Sequence, residues 1–173
     1  VVLDAPYVID QGAGLGKWKP ENYSQKFYGP STLRLGLEKS RNLMTVRIAQ
    51  QLGMDTIAGY AKRFNINSNL PLMPSMALGA GETTVLRITT AYAMLVNGGR
   101  HIKPAFVERI QDRHGRTVFK RDERECSACR GFRWALQVPL LLPDERTQVA
   151  DPLTAYQVVS MLEGVVLRGT GRT

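Results

Sequence analysis

Two short stretches of this sequence set potentially reactive side chains at close spacing: Ser40-Arg41-Asn42 and Cys126-Ser127-Ala128-Cys129. A serine hydroxyl donates and accepts a hydrogen bond at once, as a proton relay requires. An asparagine carboxamide sets an acceptor oxygen beside an NH2 donor, which suits it to orient an amide or an amine. Ser-x-Asn tripeptides are common, however, and at a junction between two helices the same residues serve equally as a helix end and the next N-cap. The two cysteines have no second Cys pair and no His-x3-His to accompany them, and His101 and His114 stand upstream without useful spacing. A structural zinc site needs four ligands, so the pair reads as a local disulfide or as two free thiols, and no metal is expected. A thioredoxin-like redox site is disfavoured, because no strand precedes the pair and no helical pattern opens on it.

The framework around these stretches is mostly helical. The segment from Val1 to Tyr28 holds Gly12, Gly14, Gly16 and Pro20 and reads as extended and irregular, with a very short strand at Val8 and Ile9. Pro30 and Ser31 give the start signal of a helix over about Thr32 to Lys39 with Ser31 as N-cap, while Leu33, Leu35 and Leu37 are too few to decide between helix and strand. Leu43, Val46, Ala49 and Leu52 recur at three-residue steps up to Gly53, which predicts a helix capped by Asn42. A second short helix with Asp55 as N-cap and Ile57, Ala58, Ala61 and Phe64 on one face completes a helical hairpin.

Residues 65–81 contain Pro71, Pro74, Gly79 and Gly81 and read as loop. The strongest helical stripe follows, Val85, Ile88, Ala91, Tyr92 and Leu95; Glu82 and Thr83 stand where they could initiate it, and Asn97-Gly98-Gly99 ends it. Phe106 to Ile110 and Thr117 to Phe119 flank the turn signal Asp112-Arg113-His114-Gly115 and predict a β-hairpin. Asp151-Pro152 predicts the N-cap and first turn of a last helix with Leu153, Tyr156, Val159, Leu162 and Val166 on its apolar face. The whole is helix-rich with one hairpin, and no alternation of strands and helices implies a parallel sheet.

The formal net charge of +8 favours acidic partners: an anionic lipid surface, a wall polymer or nucleic acid. Much of the excess lies between Arg113 and Arg133, which by itself reads as a solvated basic loop. Only Phe119, Phe132 and Trp134 stand near it, and no recognition helix or aromatic sheet motif appears, which argues against nucleic acid. No apolar run approaches the roughly 20 residues that span a bilayer, since Leu136 to Leu142 is short and holds Pro139. The chain starts at Val1 without an initiator Met and stops after Arg168-Gly169-Thr170-Gly171-Arg172, so both ends are expected to be cuts within a longer polypeptide.

Five local patterns then occur in a fixed order. Trp18-Lys19-Pro20-Glu21-Asn22-Tyr23 precedes Tyr28-Gly29-Pro30-Ser31-Thr32-Leu33-Arg34, then Leu37-Glu38-Lys39-Ser40-Arg41-Asn42, Ala77-Leu78-Gly79-Ala80-Gly81-Glu82-Thr83, and Ala91-Tyr92-Ala93-Met94-Leu95-Val96-Asn97-Gly98-Gly99. This order closely resembles the transpeptidase domain of class A, bifunctional penicillin-binding proteins. The resemblance continues through Lys103-Pro104, the hairpin and the helix Ala155 to Arg168, leaving a basic Cys-containing insertion at about 122–149.

The resemblance implies an α+β, serine β-lactamase/D,D-transpeptidase-like fold, represented by the central part of one domain, mainly its helical part plus a β-hairpin. It also implies three motifs, Ser-x-x-Lys, Ser-x-Asn and Lys-Thr-Gly. Only the second is present: no Ser is followed three residues later by Lys, and no Lys by Thr-Gly or Ser-Gly. The nucleophile and the Lys-Thr-Gly strand are therefore expected outside both ends, and the 173-residue chain alone is expected to be inactive.

Within the resemblance Ser40 is a catalytic proton relay and Asn42 a catalytic, substrate-binding residue. Trp18 and Tyr28 are packing groups at the rim. No cofactor is implied. The implied partners are peptidoglycan stem peptides, glycan strands derived from lipid II, and β-lactams. The implied parent carries a glycosyltransferase domain and an N-terminal anchor that holds it on the periplasmic face of the inner membrane. The rival reading is a non-catalytic scaffold or interaction module that binds an acidic partner through the basic loop.

Overall fold

The computed structural model describes residues 1–11, 14, 16–124, 126, 129, 133, 135, 136, 138–140, 142 and 144–172, so Gly12, Arg130, Phe132 and Trp134 lie outside the described residues. Its elements follow in the order β1 (Val2–Asp4), β2 (Ile9–Asp10), β3 (Lys17–Trp18), β4 (Gly29–Ser31), α1 (Leu33–Glu38), α2 (Asn42–Leu52), α3 (Met54–Arg63), a 3-10 turn (Pro74–Leu78), α4 (Val85–Val96), β5 (Arg109–Gln111), β6 (Thr117–Lys120) and α5 (Pro152–Arg168). The chain divides into two compact units, Val1–His101 with Gln148–Thr173, and Ile102–Thr147.

In the first unit α2 is the central helix. Its apolar steps bury Leu43, Met44, Val46 and Ala49 against β1 and the 3-10 turn, whereas Leu52, the last of the expected series, is 56% exposed. The irregular N-terminal segment is more ordered than its turn formers suggest. β1 pairs antiparallel with β4 and β2 with β3, and Ile9 lies opposite Trp18. Ser31 sits in β4, so Thr32 takes the cap of α1 and its Oγ1 accepts from the Leu35 N–H at 3.2 Å. At α3 the cap position is Gly53, and Asp55 falls in the first turn.

The later helices bury their expected apolar stripes only in part. α4 buries Thr90, Ala91 and Met94, while Ile88, Tyr92 and Leu95 border an open apolar hollow of about 610 Å³. Its cap is Thr84, whose Oγ1 accepts from Arg87 N at 3.2 Å, in place of the expected Glu82 and Thr83. Thr83 is engaged elsewhere, donating its hydroxyl to Ile66 O at 2.6 Å. In α5 the buried positions are Ala155 and Gly164, and Leu153, Tyr156 and Val166 are exposed. The reason is close approach: a Cβ at Gly164 would collide with the Glu38 carboxylate of α1, so small residues face the neighbour. No described helix is long and apolar enough to cross a membrane.

Asp151 and Pro152 start α5 as the sequence predicts, with Asp151 Oδ1 accepting from the Thr154 N–H at 2.8 Å. The entry to this helix is anchored to the end of α4. Val149 N and Ala150 N donate to Gly99 O at 2.8 and 3.1 Å, and Gln148 Nε2 donates to Gly98 O at 2.7 Å. Gly99 has φ +75°, and a Cβ there would run into the Ala150 carbonyl oxygen.

The second unit holds the expected hairpin, β5 antiparallel to β6, turned by Asp112 Oδ1 accepting from His114 N at 2.8 Å and Arg116 N at 2.9 Å. Its arginines pair locally. Arg121 donates to Glu108 at 2.8 Å, and Arg124 and Arg146 each fork onto the aspartate two residues earlier, Asp122 and Asp144. The Arg124 guanidinium beside Asp122 holds that carboxyl well below the usual range. Of the two open readings for the cysteines the disulfide is realised, between Cys126 and Cys129.

The junction of α4 with α5 contributes to stability in two measurable ways. Gly99→Ala lowers the free energy of unfolding by about 1–3 kcal/mol in urea titration, the scale of a non-glycine residue forced into strained backbone. Hydrogen bonds from Thr154, first its backbone N–H and then its hydroxyl, hold the Asp151 carboxyl below its ordinary value. The folded state therefore binds that proton less readily than the unfolded chain. The contribution is present above the ordinary carboxylate range and is lost as pH falls through the depressed folded value. Thermal melts of wild type and Asp151→Ala should differ at neutral pH and converge in acid.

Candidate functional site

The Ser40-Arg41-Asn42 tripeptide is the junction between α1 and α2, and each of its residues is held by a different physical device. At the end of α1 the Arg41 N–H donates to Gly36 O at 2.9 Å and the Ser40 N–H to Leu37 O at 3.1 Å. These are the two bonds of a Schellman motif, which puts its C′ residue in left-handed conformation, usually as glycine. Here the C′ residue is Ser40, with φ +51°. Ser40 is exposed, and among the described residues its hydroxyl has no hydrogen-bond partner. A left-handed serine, unpartnered among the described residues, thus occupies a position where glycine would be easier.

Arg41 turns inward. Its guanidinium lies 3.2 Å from the centroid of the Tyr28 ring, and its Nε is 4.0 Å from Oδ2 of Asp4. Asp4 is fully buried and receives Asn22 Nδ2 at 2.8 and 3.1 Å on its two oxygens. A hydrogen bond with Ser24 and then the adjacent Arg41 guanidinium hold the Tyr28 phenol below its ordinary value.

Asn42 is the first residue of α2 and not its cap: its Nδ2 donates to Glu21 O at 2.9 Å. The orphan N–H of Leu43 is met instead by Asn22 Oδ1, at 3.4 Å and 21 residues upstream. With one amide hydrogen spent on Glu21 O, the other and the Oδ1 acceptor remain for a ligand.

Ser40 and Asn42 border one open cleft of about 450 Å³ with Tyr23, Lys39 and Thr170. Thr170 reaches it through Glu38, whose backbone O accepts Thr170 N at 3.0 Å. The Glu38 carboxylate, almost fully buried, takes a two-pronged bond from Arg168, Nε to Oε2 at 3.0 Å and Nη2 to Oε1 at 2.6 Å. Lys39 Nζ closes the junction on Arg168 O at 2.7 Å.

Both sequence-predicted site residues thus meet at one cleft. Of the two expected rim residues, Tyr28 packs on Arg41, and Trp18 pairs with Ile9 away from the cleft lining. Sequence reasoning passed over Asp4, Asn22, Tyr23, Lys39 and Thr170. Asn22 lies in the first of the ordered blocks, but a lone Asp on a three-residue strand carries no periodic signal. Among the described residues no cluster of His, Cys, Asp or Glu could hold a metal ion.

A helical body with short antiparallel strand pairs is shared with the domains of the serine β-lactamase/transpeptidase fold. The family model for the penicillin binding protein transpeptidase domain matches residues 2–173, and the chain belongs to that family.

Among its relatives, penicillin-binding protein 1A of Rickettsia bellii is 49% identical over 169 residues, covering 96% of this chain and 21% of the relative. The protein of the same name from Neisseria meningitidis is 34% identical over 174 residues, covering 99% of this chain and 20% of the relative. The crystal structure of penicillin-binding protein 1A from Haemophilus influenzae superimposes with a TM-score of 0.79 at 27% identity, over 98% of this chain and 27% of that one. The D,D-transpeptidase domain from Eggerthella lenta shares the fold at a TM-score of 0.66 and 19% identity, over 98% of this chain and 44% of that one.

The left-handed backbone at Ser40 has a measurable consequence. Ser40→Gly relieves a left-handed non-glycine residue and should raise the stability of the chain by up to about 1 kcal/mol in urea unfolding, whereas Ser40→Ala should not. A Ser40→Gly chain less stable than wild type would show that the hydroxyl, and not the backbone, dominates there.

Proposed function

We propose that the chain is the central part of the transpeptidase domain of a bifunctional penicillin-binding protein, which crosslinks peptidoglycan stem peptides through a serine acyl-enzyme. The observation that carries this reading is the exposed Ser40 hydroxyl, without a hydrogen-bond partner among the described residues and in a left-handed backbone position, beside an Asn42 carboxamide with donor and acceptor to spare. Matches to a fifth of longer relatives support a longer parent polypeptide that supplies the Ser-x-x-Lys and Lys-Thr-Gly motifs. The basic loop offers less to the rival interaction reading, because Arg121, Arg124 and Arg146 are already paired with carboxylates of the same unit.

In the first step the nucleophilic Ser of the parent attacks the penultimate D-Ala carbonyl of a stem peptide. Its proton passes to the Lys of the same motif, a base made effective by burial and neighbouring groups. The carbonyl electrons move onto oxygen and return as the C–N bond breaks. Ser40 donates its proton to the departing D-Ala amine while accepting the one held by the Lys, a double role that a hydroxyl can fill. Asn42 aligns the substrate amide and the Lys. The amine of a second stem then attacks the ester and the protons run back. Lys39 at the cleft edge suits a peptide that ends in a carboxylate.

The parent acts on the periplasmic face of the inner membrane, held by an N-terminal anchor. Its glycosyltransferase domain supplies glycan strands from lipid II, and β-lactams acylate it as pseudosubstrates.

Fluorescent penicillin tests the reading. The full-length protein should label covalently, and Ser40→Ala or Asn42→Ala should slow labelling by about 10²–10⁴-fold while the protein stays folded. The 173-residue chain by itself should not label, and labelling of it would overturn the assignment of the nucleophile. A full-length wild type that never labels would overturn the transpeptidase reading.

A further inference from the structure

The cleft depends on a group that lies outside it. Asp4 is fully buried, and a buried carboxylate persists only where partners replace its water. Its side chain has two partners, and both lead to the Ser40-Asn42 pair. Through the first, Asn22 Nδ2 donates to both Asp4 oxygens, at 2.8 and 3.1 Å, and to Lys26 O at 2.9 Å. With its NH2 so engaged, Asn22 turns its Oδ1 to accept the Leu43 N–H at the start of α2. The same anchoring fixes the preceding carbonyl, Glu21 O, which orients the Asn42 carboxamide at 2.9 Å. A backbone carbonyl only accepts, so this contact decides which end of the Asn42 amide it meets.

Through the second, Arg41 is held between the Tyr28 ring at 3.2 Å and Asp4 Oδ2 at 4.0 Å. Arg41 is the residue between Ser40 and Asn42, so drawing its side chain inward directs theirs toward the cleft. The Asp4 backbone acts on the same side, its carbonyl accepting Tyr28 N at 3.3 Å.

We infer that Asp4, acting through Asn22 and Arg41, is a positioning residue for the transpeptidation site: it sets the orientation of the Asn42 carboxamide and the Ser40 hydroxyl without touching substrate. This rests on the proposed function, and the test separates the two. Acylation of the full-length protein by fluorescent penicillin is measured as a second-order rate constant for wild type, Asn42→Ala, Asp4→Asn and the double variant, with thermal melts to verify folding. Asp4→Asn keeps the shape and one acceptor but removes the charge that faces Arg41.

Wild type that labels, with Asn42→Ala slowed, upholds the function reading; wild type that fails to label overturns that reading and the inference with it. Given labelling, Asp4→Asn should slow acylation by about tenfold to a hundredfold, the scale of a small misplacement of reacting groups. The double variant should be no slower than Asn42→Ala alone, because both changes remove the same alignment. Effects of Asp4→Asn and Asn42→Ala that multiply would overturn the inference alone, as would an Asp4→Asn variant that acylates like wild type. Should Asp4→Asn fail to fold, Arg41→Met takes its place in the same cycle. The Arg41 side chain is 16% exposed and Asn22 still satisfies Asp4, and the same coupled or multiplied outcome decides.

Discussion

The Glu38 carboxylate, 4% exposed, joins α1 to α5 through Arg168, 130 residues away, while its own carbonyl holds Thr170. Breaking a fully buried ion pair by removing one partner costs about 3–5 kcal/mol, and somewhat less here because the Arg168 side chain is 53% exposed. The pair also dictates sequence at a distance. Gly164 is glycine because the carboxylate occupies the space of its Cβ, while Leu153, Tyr156 and Val166 of the same helix are exposed.

Glu38 and Asp4 stand on either flank of Ser40-Arg41-Asn42, and their effects on it differ. Glu38 fixes where α1 ends and what lies across the cleft; Asp4 fixes how α2 begins. Between them the chain makes a Schellman turn with serine where glycine is usual. Left-handed backbone at a non-glycine residue costs on the order of 1–2 kcal/mol, so the surrounding contacts must over-determine the turn. The two buried carboxylates, one with a bidentate arginine and the other with an asparagine and an arginine, supply that excess. The relay role proposed for Ser40 would benefit from such a setting, since a hydroxyl held at the tip of a rigid turn loses little freedom on meeting a substrate.

Charge in the second unit follows a different logic. Arg121, Arg124 and Arg146 sit at the surface and each meets an aspartate or glutamate of the same unit. Exposed pairs of this kind contribute little to stability, in contrast to the buried carboxylates of the first unit. The hairpin was legible from its turn, because Asp112 and Gly115 bring their own hydrogen bonding and positive φ.

Local signals carried much of the remainder. The breaks between helices, the Asp151-Pro152 start of α5 and the ordered blocks around Ser40 are legible from neighbouring residues alone, because caps, turns and short motifs act within a few positions. Which side of α5 is buried is not legible in that way. Leu153, Tyr156 and Val166 form a convincing apolar stripe, yet Ala155 and Gly164 face the core, since the distance between α1 and α5 is set by a carboxylate on another helix. Asn42 likewise has the residue type of an N-cap, but Glu21 O claims its side chain and Asn22 caps in its place. The order of residues was thus enough for the family and the helical body, and it singled out the Ser40-Asn42 pair for which a role is proposed. How that pair is held was settled by folding, because Asp4, Asn22 and Arg168 act on it from parts of the chain that only the folded state brings together.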